Sequence, residues 1–377
     1  MRFPPTSLSD AELALRADVR AFLDAELPRR AEPGVGIGGG HDRAFSKALA
    51  ERGWVGLSIP AEYGGAGRTA VERFVVVEEL LAARAPVSAH WVADRQTAPT
   101  ILRFGTEDQK RRFLPAIARG ECSFAIGMSE PDAGSDLAAV RTAAERDTGG
   151  WRVTGTKVWT SNAHQSDYFC VLCRTTPRGD DRHHGLSQLI VDLRGPGVTI
   201  NPIVTLDGGH HFNEVVLDGV YVPDDLVLGE VGDGWRQVTS ELAYERSGPD
   251  RWLSTLGVFS AFADAARGSD SDAVRAAVGH LTARYRTLRH LSLSVARLID
   301  AGGAPAAEAA LVKDLGTTFE KEVAETARTL TGPVPDPDAT DPLTRTLAHA
   351  ILSLPSLTIR GGTTEILRTV AARELTK

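Results

Sequence analysis

The sequence predicts an α+β protein built from three consecutive stretches: helical, then strand-rich, then helical again. Three observations carry this prediction. Apolar residues recur at helical spacing up to about residue 120. From about Glu121 the pattern changes to short alternating runs separated by Gly, Pro, Asp and Asn clusters. From about Gly234 the helical period returns and holds to the end of the chain. A length of 377 residues gives room for two or three packed units. The expected boundaries are 1–120, 121–232 and 233–377.

In the first stretch, Ser9 and Asp10 are caps for a helix over Ala11–Leu27, where Leu13, Ala17, Phe22 and Leu23 form an apolar stripe. Pro28 stops it. The following Glu32–Gly40 run spells GxGxxG at Gly34, Gly36 and Gly39. A dinucleotide loop needs a strand before it and an acidic residue about 20 positions later, so this run reads as an ordinary loop. Helices are predicted at Asp42–Arg52, Ala70–Ala83, Ala89–Phe104 and Asp108–Ala118, with Pro60–Gly67 as a Gly-rich turn. The middle stretch gives strands at Cys122–Met128, Trp151–Trp159, Tyr168–Arg174, Leu186–Asp192, Val198–Pro202 and Asn213–Val222, as in an antiparallel barrel or sandwich. The last stretch gives helices at Trp235–Arg246, Arg251–Arg267, Asp272–Ala301, Ala304–Leu330, Pro342–Ser353 and Thr364–Glu374, with Val334–Ala339 as a loop.

Composition narrows the function. An apolar fraction of 42% and a charged fraction of 24% exclude a mainly disordered chain. A net charge of -7 argues against nucleic acid as the main partner. The N-terminus lacks an apolar signal segment, and no window approaches the ~20 apolar residues of a membrane span. With three cysteines in all, the expected setting is a reducing cytoplasm and the expected membrane role is none. Cys170 and Cys173 form a CxxC, but three positions apart on a strand they point to opposite faces and cannot chelate together. They read as packing cysteines, and no metal site is expected. The pairs His183–His184 and His210–His211 read as loop residues.

Two segments carry chemistry. Gly127–Asp136 is a strand end running into a turn rich in hydroxyls, small residues and backbone N–H groups, which suits a planar, hydrogen-bonding, anionic ligand. Gly155–Asn162 ends a strand with Trp159, Thr160 and Ser161. Trp beside a hydroxyl can stack on and hydrogen-bond a flavin ring, and a half-buried strand Trp is the ordinary alternative. Each segment alone is also an ordinary polar turn; two at matching strand ends are more telling.

The order and spacing of Gly127–Asp136, Lys157–Asn162, Glu214–Val222 and Gly361–Ile366 resemble the acyl-CoA dehydrogenase family, over nearly the whole chain. The resemblance implies a helical N-terminal domain, a middle β-barrel and a C-terminal four-helix bundle. It implies FAD as cofactor and α,β-dehydrogenation of an acyl-CoA or acyl-carrier thioester, a reaction of lipid metabolism. Further implications are an electron-transfer flavoprotein as acceptor and a homo- or hetero-oligomer, dimeric or tetrameric. Carried over by motif, Ile126, Met128 and Ser129 contact the flavin edge, Trp159 covers the ring and Ser161 lies near its reactive nitrogen. Ser135 matches a position on the CoA arm. Thr363 and Glu365 match positions near the cofactor's phosphate and ribityl region.

Three departures from the family pattern stand out. Where many members carry a glutamate base, this chain has Gly361. Other members place the base early in the C-terminal bundle, and Leu242–Arg246 resembles that segment, so the resemblance makes Glu245 the candidate base with Arg246 orienting the site. Arg360 stands where Tyr or a small residue is common; it reads either as a partner for a substrate carboxylate or phosphate, with Gly361 beside the acyl group, or as a local ion-pair residue. The motif that reaches the FAD pyrophosphate is absent from His280–His290, where Arg284, Arg286 and Arg289 are substitutes or a solvated face, and Thr331-Gly332-Pro333 shortens a Gly-rich turn. The alternatives are therefore a half-site or non-catalytic subunit of a heteromeric dehydrogenase, or a flavin monooxygenase of the same fold.

Overall fold

The computed structural model describes residues 1–27, 40–332 and 334–375, without the side chains of 241–245 and 374–375. The GxGxxG run and Pro333 lie outside the described residues. The first stretch forms α1 (Asp10–Glu26), α2 (Arg43–Glu51), α3 (Ala70–Ala82), α4 (Ser88–Val92), α5 (Ala98–Phe104) and α6 (Glu107–Ala118). The middle forms β1 (Phe124–Gly127), β2 (Ala143–Asp147), β3 (Gly150–Ser161), β4 (Tyr168–Arg174), β5 (Leu186–Asp192), β6 (Val198–Ile203) and β7 (Phe212–Pro223). The last forms α7 (Gly234–Glu245), α8 (Leu256–Ala266), α9 (Asp272–Asp300), α10 (Ala306–Thr331), α11 (Pro342–Leu357) and α12 (Thr364–Leu375).

Local chemistry sets the ends. Ser9, Thr69 and Thr106 each close a capping box on the third helical residue, Glu12, Glu72 and Gln109. The continuous helix expected over Ala89–Phe104 is instead α4, a π-turn at Ala93–Thr97, and α5. Pro99 has no N–H to give and its ring crowds the carbonyl four residues back, so the wider turn absorbs the misfit. The expected Arg251–Arg267 helix begins only at Leu256. The amide of Ser254, which a helix would direct to the Asp250 carbonyl, donates to Glu320 Oε1 at 2.8 Å, and Arg360 Nη2 takes that carbonyl at 3.0 Å. Strand β2 was not foreseen; it forms a hairpin with β3 across Thr148-Gly149, where Gly149 takes φ +69°.

Two compact units result. One gathers 41–68 and 88–242. Its seven-stranded sheet runs β1-β4-β2-β3-β7-β6, with β5 also pairing β4, and is antiparallel except where β4 meets β1 and β2. Phe113 of α6 packs edge-on against Phe124 and Tyr168 beneath this sheet. The other unit gathers 1–40, 69–87 and 243–377. Here α8, α9, α10 and α11 pack on one another as a four-helix bundle, with α12 against α10 and α3 against α9. Asp300 accepts the first amides of α3, from Ala70 at 2.6 Å and Val71 at 3.1 Å. Arg297 grips Glu12 of α1 with two bonds of 2.6 Å.

Candidate active site

In the sheet unit, the two segments singled out from sequence lie side by side. β1 ends at Gly127, where an added Cβ would fall inside the Phe169 ring, so only glycine lets the turn leave at that point. The turn is tied to β3 by a backbone bond from the Val158 amide to the Ser129 carbonyl, 3.0 Å. A deeper tie is Lys157, fully buried, whose ammonium donates to the Met128 carbonyl at 3.1 Å and to Glu130 Oε1 at 2.8 Å. Glu130 also accepts the amides of Arg141 at 2.6 Å and Thr142 at 2.9 Å. Burial pushes the Glu130 carboxyl up, but the Lys157 charge and these hydrogen bonds outweigh it and hold the group below its ordinary range. One buried ion pair thus joins the turn carrying Met128 and Ser129 to the strand carrying Trp159 and Ser161.

Trp159 stands at an irregularity. The β3–β7 register slips between Lys157 and Thr160, and Trp159 takes φ +61°, a conformation rare for a bulky side chain. The residue is 58% exposed, and its ring meets Phe212 edge-on at 5.8 Å. Asn213, fully buried, fixes the bulge from below: its Nδ2 donates to the Thr160 carbonyl at 3.0 Å. The Asn213 Oδ1 lies 3.1 Å from His164 Nδ1 and 2.8 Å from His210 Nε2, and the two imidazoles stack at 4.0 Å. His210 is therefore a loop residue, as expected, that also supports the bulge. An exposed indole on a left-handed residue can offer its face to a planar aromatic ligand.

In the helical unit, the turn before α12 is the dense polar region. Gly361 and Gly362 take φ +67° and +97°. Arg246 Nε donates to the Gly361 carbonyl at 3.3 Å, and the buried Lys313 ammonium donates to the Gly362 carbonyl at 2.6 Å. The turn is thereby joined to the residue that follows Glu245 in sequence. Glu245 closes α7, and its side chain lies outside the described residues. Arg360 Nη2 donates to Ser254 Oγ at 2.6 Å and lies 4.0 Å from Glu320. Burial pushes the Glu320 carboxyl up, against Arg360 and Ser254. Glu365 sits in the first turn of α12, held below its ordinary range by its own amide and the Thr363 hydroxyl.

Met128 and Ser129 are half-buried and Ser135 is exposed, beside an Arg182–Asp136 ion pair. Ile126 packs on the sheet core. Arg284 pairs with Glu322, and Arg289 grips Glu78 at 2.6 and 2.9 Å, while Arg286 is exposed. Sequence reasoning missed Lys157, Glu130 and Asn213. A lysine two residues before Trp159 in β3, with a glutamate three residues beyond the end of β1, was the available signal. All three cysteines are buried and unbridged, and burial raises the Cys173 thiol to about 12. No described helix is long and apolar enough to cross a membrane.

The chain belongs to the acyl-CoA dehydrogenase family. The family's N-terminal domain matches residues 9–121, its middle domain 125–220 and its C-terminal domain 232–376. It is 35% identical to the acyl-CoA dehydrogenase FadE29 of Mycobacterium tuberculosis, over 97% of this chain and 96% of that one. It is 42% identical to the acyl-CoA dehydrogenase IpdE1 of the same organism, over 64% of this chain and 63% of that one. Among solved structures, the Tcur3481-Tcur3483 steroid ACAD superposes with a TM-score of 0.88 at 30% identity, covering 100% of this chain and 99% of that one. The ChsE4-ChsE5 complex of Mycobacterium tuberculosis gives 0.84 at 30% identity, covering 99% and 97%. The chain is thus an oxidoreductase with the acyl-CoA dehydrogenase fold.

Proposed function

We propose that this chain carries out FAD-dependent α,β-dehydrogenation of an acyl-CoA thioester, with Glu245 as the base that takes the α-proton. The observation that carries the base assignment is position 361. It holds glycine at φ +67°, and an added Cβ there would lie 2.9 Å from the Arg251 guanidinium. A carboxylate residue at the position that serves much of the family would have to displace the Arg251 head and adopt a left-handed backbone. The alternative favoured by the family pattern is Glu245, followed in sequence by Arg246, whose Nε reaches the Gly361 carbonyl.

Bound FAD would supply the acceptor for the β-hydride. Ile126, Met128, Ser129, Trp159 and Ser161 would hold and cover its ring, and Thr363 and Glu365 its polar chain. Ser135 would hold the CoA arm, and Gly361 would let the acyl group approach the backbone. Arg360, with Ser254 and Glu320 beside it, serves as a local tie that shapes this end of the pocket. A glutamate at 245 must take a proton that is only weakly acidic until the thioester carbonyl is polarised, so the hydrogen-bond donors around that oxygen share the work. The sequence domains 1–120, 121–232 and 233–377 are supported by the three family matches. The buried, unbridged cysteines support a cytoplasmic setting. The steroid name of one structural neighbour supports a steroid-derived acyl group as the first substrate to try.

A second reading, a subunit of an unlike pair, is favoured by one observation. Arg284 and Arg289, the candidates for the missing pyrophosphate contact, are engaged by Glu322 and Glu78 within this chain. The names of two neighbours describe pairs of different chains.

The test is an anaerobic screen of acyl-CoA thioesters, linear and steroid-derived, followed by flavin bleaching. Glu245→Gln should retain FAD and lose α-proton exchange and bleaching by about 10²–10⁴-fold. Near-normal bleaching would sink the assignment. Stoichiometric FAD in the lone chain would reject the unlike-pair reading, and reoxidation by an electron-transfer flavoprotein rather than oxygen would fix the acceptor.

A further inference from the structure

We infer that Arg251 is a positioning residue that closes position 361 to any side chain and so confines the α-proton base to position 245. The inference rests on the base assignment above and deepens it, because it explains why the carboxylate stands at one position and not the other.

Arg251 ends a short 3₁₀ turn, Pro249–Arg251, and is 2% exposed. Glycines flank it at both ends. Its carbonyl presses on Gly316 of α10, where an added Cβ would overlap that oxygen. Its head lies at Gly361, where an added Cβ would stand 2.9 Å from Cζ, Nη1 and Nη2 together. Such a distance is trivial to relieve when the obstacle is the loose end of a flexible side chain. Here it is not loose. The guanidinium is buried, and Arg251 Nε pairs with Asp250 Oδ2 at 3.0 Å. The backbone beneath it is held by the Arg251 amide on the Gly248 carbonyl at 3.1 Å and the Trp252 amide on the Pro249 carbonyl at 3.1 Å. Beyond it, Ser254 is fixed on Glu320 and the Asp250 carbonyl on Arg360. Withdrawing the head would separate it from Asp250, itself buried.

Charge reinforces shape. A carboxylate carried at 361 would meet the guanidinium of Arg251 and sit beside that of Arg246, which already bonds the Gly361 carbonyl. Two cations would stabilise its ionised form and lower its affinity for a proton, which weakens it as a base toward carbon. Arg251 acts by occupying space and charge next to the turn.

The test compares Gly361→Ala in two backgrounds, wild type and Asp250→Asn/Arg251→Met, which removes the head and the partner charge together. The cost of a left-handed alanine is common to both and cancels. Gly361→Ala should lower Tm by roughly 5–10 °C in wild type and by less than half as much in the second background. Equal losses overturn the inference. Arg251→Lys, which keeps the ion pair but not the planar head, gives the same comparison if the neutral background does not fold.

The functional arm moves the base. In D₂O, with octanoyl-CoA and a steroid side-chain acyl-CoA as probes, Glu245→Gly/Gly361→Glu is compared with the same pair in the Asp250→Asn/Arg251→Met background. α-Proton exchange should be at least ~10-fold faster in the latter, a gain of about 1.4 kcal/mol at the transition state. Equal rates overturn the inference. Wild-type exchange in Glu245→Gly alone would instead remove the base assignment, and the Gly361→Ala comparison would still decide whether Arg251 closes the position.

Discussion

Replacing Lys157 with Met should be among the most costly single changes in the sheet unit, and its size follows from the geometry. Lys157 is fully buried and its partner Glu130 is 8% exposed. Removing one member of a buried, hydrogen-bonded ion pair costs about 3–5 kcal/mol, because the other charge is left without compensation. Glu130 keeps two backbone donors, the amides of Arg141 and Thr142, which places the loss at the lower end, about 3 kcal/mol. For a unit of this size that is roughly a 6–12 °C fall in Tm. Glu130→Gln/Lys157→Met removes both charges and should recover most of the loss. FAD content should fall in the single variant, since the Met128 carbonyl loses its tie to β3. The pH dependence has a definite sign. The Glu130 carboxyl is held below its ordinary value, so the pair's contribution is complete above the range in which an unfolded glutamate titrates and is lost as pH falls through the folded value. The gap in Tm between wild type and Lys157→Met should therefore be widest near neutrality and close in acid. A single variant within about 2 °C of wild type, or a double variant no better than the single, would refute the clamp.

Three further outcomes are expected. Trp159→Gly relieves the left-handed backbone and removes an exposed ring, so Tm should hold or rise while FAD binding weakens by roughly 2–10-fold, read by flavin fluorescence. Gly127→Ala drives a methyl into the Phe169 ring and should cost about 1–3 kcal/mol in denaturant melts, with partial rescue by Phe169→Leu. Burial raises the Cys122 and Cys173 thiols to about 12, so iodoacetamide at pH 8 should leave both unmodified in the folded protein and label them in denaturant.

Much of the fold was legible because periodicity reports which face is buried. β4 and β5 begin and end where short, largely apolar runs do, with both faces buried, and the three capping boxes announce α1, α3 and α6 in four residues each. What periodicity does not see is where a long-range bond captures a backbone group. The helical pattern from Arg251 is real, yet Glu320 and Arg360 take the amide and carbonyl that the helix would have joined, and both partners lie more than sixty residues away. The π-turn at Ala93–Thr97 was closer to legible, since Pro99 forbids the bond that a regular helix would need.

The site divides along the same line. Motif order pointed to Met128, Ser129, Trp159 and Ser161 as candidates, but nothing local says that Lys157 reaches across to Glu130, because a lysine in a strand reads as an edge or surface residue until its burial is known. Gly361 shows the reverse case. From sequence it is a missing carboxylate, an absence that points elsewhere for the base. In the folded chain it is half of a fitted pair, the glycine that a buried arginine requires. That changes what a substitution there means. A glutamate restored at 361 would not recreate the common arrangement, since it would enter a left-handed turn already filled by a cation. On the proposed assignment, the base position depends on several residues chosen together, Gly316, Gly361, Asp250 and Arg251, which would have to be changed as a set.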